Sequence, residues 1–144
     1  MKKDTRQRLV EVMSKVNNLN ESVLDKKTRK YIINDFINYV IQFLDLEGRE
    51  PDINLIDSEG AAAQLKSFGA FMVDSGVVNV VITNRNLADI LRTLAHEIVH
   101  YKQKIENRLE PNSGDDGSEI ENEANSVAAV IMRKYGKINP NIFE

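Results

Sequence analysis

The only two histidines in this 144-residue chain stand four residues apart, in the pentad His96-Glu97-Ile98-Val99-His100. On an α-helix, positions i and i+4 lie one above the other on the same face, so the two imidazoles act together if the pentad is helical. The flanking residues meet that condition. Ile90, Leu91, Leu94, Ala95, Ile98, Tyr101 and Ile105 recur at helical spacing, and no Pro or Gly interrupts residues 87–109. Asn86 is suited to cap the start of this helix, with Asp89 in its first turn complementing the positive helix end.

Two imidazoles at that spacing can bind one zinc ion, and a glutamate beside the first can take a proton from a zinc-activated water. His96 and His100 are therefore expected metal ligands and Glu97 the expected general base, with Zn2+ as the cofactor. A catalytic zinc site takes three protein ligands and keeps one open position. The chain has no Cys and no further His, so the third ligand has to be a carboxylate. Lys102, Gln103 and Lys104 follow the pentad, which excludes the H-E-x-x-H-x-x-G-x-x-H pattern. The nearest downstream supply is Asp115, Asp116, Glu119, Glu121 and Glu123. Ser118-Glu119-Ile120-Glu121 reads as a capping box opening a second helix, with the apolar stripe Ile120, Ala124, Val127, Val130, Ile131 and Tyr135. Gly136 is the expected stop of that helix, with Pro140 just beyond. Glu121 and Glu123 border this stripe about equally. The capping box commits Glu121 to the Ser118 backbone, which leaves Glu123 as the expected third ligand.

His96-Glu97-x-x-His100 followed by a helix bearing Asn122-Glu123-Ala124 resembles the gluzincin zinc peptidases. Glu121-Asn122-Glu123-Ala124-Asn125 is similar to the E-x-E-A-N of ImmA/IrrE-type peptidases, although Val99 stands where those usually carry Gly. Residues 84–103 and 117–135 also resemble small metallopeptidases encoded by large tailed phages. The resemblance implies that His96, His100 and Glu123 hold zinc and that Glu97 moves the proton. It also implies that the strand before the active-site helix is an edge that pairs with an extended substrate. Val77, Val78, Asn79, Val80, Val81 and Ile82 are that expected substrate-binding strand.

Composition bounds the remaining choices. Hydrophobic residues make up 42% and charged residues 28%, ordinary values for one globular domain over residues 1–144. The net charge of −3 argues against a general nucleic-acid binder, and no apolar run is long enough to span a membrane. The start Met1-Lys2-Lys3-Asp4 opens no signal peptide, and the absence of Cys fits a cytoplasmic setting, in a host cell or a virion if phage-encoded. Residues 1–30 carry nine Lys/Arg against four Asp/Glu, which reads as a solvated helix face.

The expected fold class is α+β. Two N-terminal helices carry the stripes Leu9, Val12, Met13, Val16, Leu19 and Ile32, Ile33, Phe36, Ile37, Val40, Phe43, Leu44, the second ending at Gly48 and Pro51. A small, mainly antiparallel sheet of about three strands follows: residues 53–56, then a hairpin of 68–73 and 77–82 turning at Asp74-Ser75-Gly76. Residues 59–67 read as a short helix or a loop. The active-site helix and the C-terminal helix complete the domain. The expected activity is hydrolysis of a peptide bond in a protein or peptide substrate. Tyr101, Arg133 and Tyr135 are weak candidates for stabilising the oxyanion. Two alternatives share the motif: a catalytically silent structural or assembly protein of a phage, and a regulatory peptidase specific for one repressor-like partner.

Overall fold

The structure is a computed structural model that describes residues 25–65, 67–111 and 117–143. The expected stripe Leu9–Leu19 and the residues Asp115 and Asp116 lie outside these residues. In chain order the elements are α1 (Lys26–Phe43), β1 (Asp52–Ile56), α2 (Glu59–Ala63), β2 (Gly69–Met72), β3 (Val77–Val81), α3 (Leu87–Ile105), α4 (Glu119–Ile138) and a 3-10 turn (Pro140–Ile142). The class is α+β.

Helix starts follow their caps. Asp25 accepts from the Thr28 N–H, Asn86 from the Asp89 N–H and Ser118 from the Glu121 N–H, each satisfying one orphan donor of a first turn. Helix α1 ends earlier than Gly48 suggests, and α3 ends without a glycine. Helix α1 stops at Phe43 with Asp45 at φ 58°, and α3 stops at Ile105 with Asn107 at φ 58°. In both, a six-to-one bond closes the last turn: Leu46 N–H to Ile41 C=O (2.9 Å) and Arg108 N–H to Gln103 C=O (3.0 Å). Gly136 does not stop α4. It lies inside the helix because a Cβ there would meet the Phe143 ring at 2.6 Å, so its small size admits the C-terminal turn.

The sheet has three strands in the order β1-β3-β2. It is mixed rather than mainly antiparallel: β1 pairs with β3 in parallel (Ile53 opposite Val78), and β2 pairs with β3 antiparallel (Phe71 opposite Val78). The central strand buries Val78 and Val80 completely. Helix α3 packs against both β2 and β3 as well as α1 and α4. Its Leu91, Leu94, Ala95 and Ile98 are fully buried, together with Ile32 and Phe36 of α1 and Ala124, Ile131 and Tyr135 of α4. The Tyr135 hydroxyl donates to the buried Asp35 carboxylate (2.7 Å) and its ring meets Phe36 edge-on at 4.9 Å, locking α4 to α1. No helix among the described residues is long and apolar enough to cross a membrane.

One glycine sets the distance between the sheet and the pentad helix. A Cβ on Gly69 would clash with Thr93 Cγ2 and stand 3.4 Å from Glu97 Cγ. Thr93 cannot rotate away freely, because its hydroxyl donates to Asp89 C=O (2.9 Å) and accepts from Arg85 Nη2 (2.9 Å). Gly69→Ala is therefore expected to destabilise by about 1–3 kcal/mol, the usual cost of overpacking. Adding Thr93→Ser removes the obstructing methyl and keeps the hydroxyl, so the double variant should recover stability. Urea denaturation of both proteins checks this, and a double variant no more stable than Gly69→Ala would show that the contact is not the cause.

Candidate metal centre

The pentad is helical throughout, and its two imidazoles face each other. His96 Nε2 and His100 Nε2 stand 3.1 Å apart, with the rings nearly perpendicular. The carboxylate that meets them is Glu121. Its Oε1 lies 2.9 Å from His96 Nε2 and its Oε2 lies 3.1 Å from His100 Nε2. These three side chains are mostly buried, and their ligand atoms all fall within 4.8 Å of one another.

Glu123, the expected third ligand, is not part of this cluster. Its carboxylate accepts from Arg108 Nη1 (2.9 Å) and Nη2 (2.6 Å), and from Gln103 Nε2 (3.1 Å). The cause is the rotation of α4. Its buried residues are Ala124, Ala128, Ile131, Met132, Tyr135 and Gly136. At about 100° per residue, Glu121 falls about 20° from the middle of that stripe and Glu123 about 140° away. A stripe drawn through the larger residues Val127 and Val130 leaves out Ala128 and Met132, and with them the turn that brings Glu121 inward. The Ser118 hydroxyl still caps the helix through the backbone N–H of Glu121 (3.1 Å), while the Glu121 carboxylate reaches the two imidazoles.

Each ring is also held from outside. His100 Nδ1 stands 2.7 Å from Gln103 Oε1, and the Asn125 side chain lies near His96 and favours its charged form. Burial pushes the His96 pKa down, the neighbouring His100 pushes it the same way, and Glu121 opposes. Burial pushes the Glu97 carboxyl up to about 7, with the Glu121 charge adding to the rise, while His100 and the Phe71 backbone N–H oppose it. The Arg108 hydrogen bonds hold Glu123 below the usual carboxylate range.

His96, Glu97, His100 and Glu121 line one cleft of about 690 Å³, whose other walls include Ala70, Phe71, Val73, Leu109, Glu110 and Pro111. The strand at this cleft is β2. The expected substrate strand, Val77 to Ile82, contains β3, which is paired on both sides and so has no free edge. Val81 N–H donates to Phe68 C=O (2.8 Å), so residues 68, 70 and 72 bond inward, and Gly69, Phe71 and Val73 turn their backbone groups outward. The three weak oxyanion candidates also lie elsewhere. Tyr101 donates to Arg49 C=O (2.6 Å), Tyr135 is buried on Asp35, and Arg133 is an exposed residue of α4.

The donor set fits zinc. Ligand atoms around a tetrahedral zinc stand about 3.4 Å apart, given bonds of about 2.1 Å. Here the two imidazole nitrogens are 3.1 Å apart and each meets a different oxygen of Glu121, at 2.9 and 3.1 Å, somewhat closer than that spacing. Two imidazoles and one carboxylate are also a ligand set found in catalytic zinc sites. Comparison of the chain with protein-family models, with curated proteins and with solved structures finds no match.

Proposed function

We propose that this chain is a zinc-dependent peptidase of gluzincin type, with His96, His100 and Glu121 holding the metal and Glu97 acting as general base. The observation that carries this reading is the convergence of two imidazole nitrogens and a carboxylate, brought from two helices, in a cleft that also holds Glu97. Zinc, when bound there, supplies Lewis-acid polarisation of water and of a carbonyl.

The chain's own groups account for the rest. Glu97 is partly buried at the cleft wall, beside Gly69 and Phe71. A carboxyl that titrates near neutrality can both accept a proton from water and return it to a leaving amine. An extended peptide adding to β2 as a further strand would have to displace the bonds that Ser67 Oγ makes to Gly69 C=O (2.7 Å) and Lys104 Nζ to Val73 C=O. Phe71, Val73, Leu109 and Pro111 give the cleft apolar walls that exclude water from a bound side chain. A partly buried Glu97 beside the cluster favours turnover over a purely structural metal site, which needs no base.

Glu121→Ala is expected to weaken zinc binding beyond the ~10–100-fold typical of outer partners, whereas Glu123→Ala should still take up about one equivalent at saturation. Elemental analysis after zinc reconstitution decides between them. Zinc retained in Glu121→Ala and absent from Glu123→Ala would reverse the ligand assignment.

Glu97→Gln should keep zinc and lose ~10²–10⁴-fold in hydrolysis. The substrate is found by comparing, by mass spectrometry, a proteome treated with wild-type protein and with Glu97→Gln. Equal cleavage by the two proteins rejects the mechanism. Equal absence of cleavage, with all four zinc positions filled by protein, leaves a structural site.

The metal-free protein gives a second measure of Glu97. Its carboxyl holds a proton up to about pH 7 when folded, against an ordinary value of 4.5. Between those values the folded state binds the extra proton, so stability falls as pH rises through that window. Glu97→Gln lacks this loss. It should exceed the metal-free wild type by on the order of 1–3 kcal/mol at pH 8 and by nothing at pH 4, measured by urea denaturation. A difference that does not change with pH would contradict the raised pKa.

A further inference from the structure

We infer that Gln103, Glu123 and Arg108 form a positioning relay that fixes the proton of His100 on Nδ1 and so turns the Nε2 lone pair into the cleft. The use of that lone pair rests on the zinc reading above, but the tautomer itself does not.

Gln103 is 1% exposed, at the boundary between α3 and α4. Its Nε2 donates to Ile120 C=O (3.1 Å) and to Glu123 Oε1 (3.1 Å), and its Oε1 faces His100 Nδ1 at 2.7 Å. The amide cannot be turned round. Reversed, its oxygen would face a carbonyl and a carboxylate, neither of which has a hydrogen to give. With Oε1 on the ring, the hydrogen between them has to come from His100 Nδ1. The neutral ring then carries its lone pair on Nε2, 3.1 Å from both His96 Nε2 and Glu121 Oε2.

The relay continues outward. Arg108 grips both oxygens of Glu123, at 2.9 and 2.6 Å, which leaves Glu123 fixed against the amide. Arg108 is delivered there by the left-handed Asn107 that closes α3. An apolar side chain would join the two helices without needing any partner. A buried amide with its donors and its acceptor all engaged instead transmits a direction to the ring. Glu123 is thus a positioning residue acting through Gln103.

The test begins with metal-free protein labelled with 15N-histidine, at about pH 8.5, where an ordinary imidazole is neutral. The chain has only two histidines, so long-range 1H–15N spectra contain two rings, assigned with His96→Gln. Wild-type His100 is expected as the Nδ1–H tautomer, and Gln103→Leu should raise its Nε2–H fraction. Zinc affinity, measured by competition with a chromophoric chelator, should fall ~10–100-fold in Gln103→Leu. Gln103→Glu alone opposes two carboxylates and should also lose affinity. Adding Glu123→Gln restores a donor to the acceptor on the ring, and should recover part of that loss. An Nε2–H tautomer in the wild type, or a double variant no tighter than Gln103→Glu, overturns the relay. If Gln103→Leu does not fold, the wild-type tautomer and the Gln103→Glu pair still decide. An Nδ1–H wild type that takes up no zinc overturns the metal reading and leaves the relay standing.

Discussion

A carboxylate reaches between two imidazoles only if the helix that carries it presents the right face to the helix that carries them. Here that condition is met by the packing of α4 against α3 and α1. Ala124 and Ala128 are small and almost fully buried, and Ile131 and Tyr135 continue the same stripe. The Tyr135–Asp35 hydrogen bond fixes the far end of α4 on α1. With the helix rotated in this way, Glu121 extends the buried stripe and points at His96 and His100. A change in the rotation of α4 would replace the carboxylate in the cleft with a different residue, so the core packing and the candidate metal centre are set by one contact.

What can be read from sequence follows from how local its causes are. The helix of the pentad, its Asn86 cap and the Ser118 cap depend on residues three or four positions apart, and the structure has them where the sequence puts them. The ends of α1 and α3 are also local, but they use Asp45 and Asn107 in a conformation that usually signals itself through glycine. Three features are tertiary and escape a reading of one chain. The choice between Glu121 and Glu123 turns on whether Ala128 and Met132 belong to the core. The choice of edge strand turns on β1 pairing in parallel with β3, which makes the strand before α3 central. Tyr101 and Tyr135 find partners 52 and 100 residues away.

The cleft gathers Glu97 and Glu121 close enough for the charge of one to raise the pKa of the other. Without a cation this is an unfavourable arrangement, because burial already penalises the charged form of Glu97. A divalent ion reverses that balance, since it supplies two positive charges at the point where the acceptors converge. In the proposed site, metal binding and local stability are therefore linked, and the protein tolerates an internal electrostatic cost that its ligand removes.

The same consideration explains why the groups that orient the rings are amides. A carboxylate in place of Gln103 would accept from His100 Nδ1–H equally well, but it would add a third negative charge beside Glu97 and Glu121. Gln103 gives the ring an acceptor with no net charge. The charge of Glu123 is kept one step further out, where Arg108 neutralises it at 2.6 Å. What passes from Arg108 through Glu123 and Gln103 to His100 is orientation without charge. The orienting groups therefore add no charge of their own next to Glu97 and Glu121, whose carboxylates are opposite in sign to the divalent ion proposed to bind there.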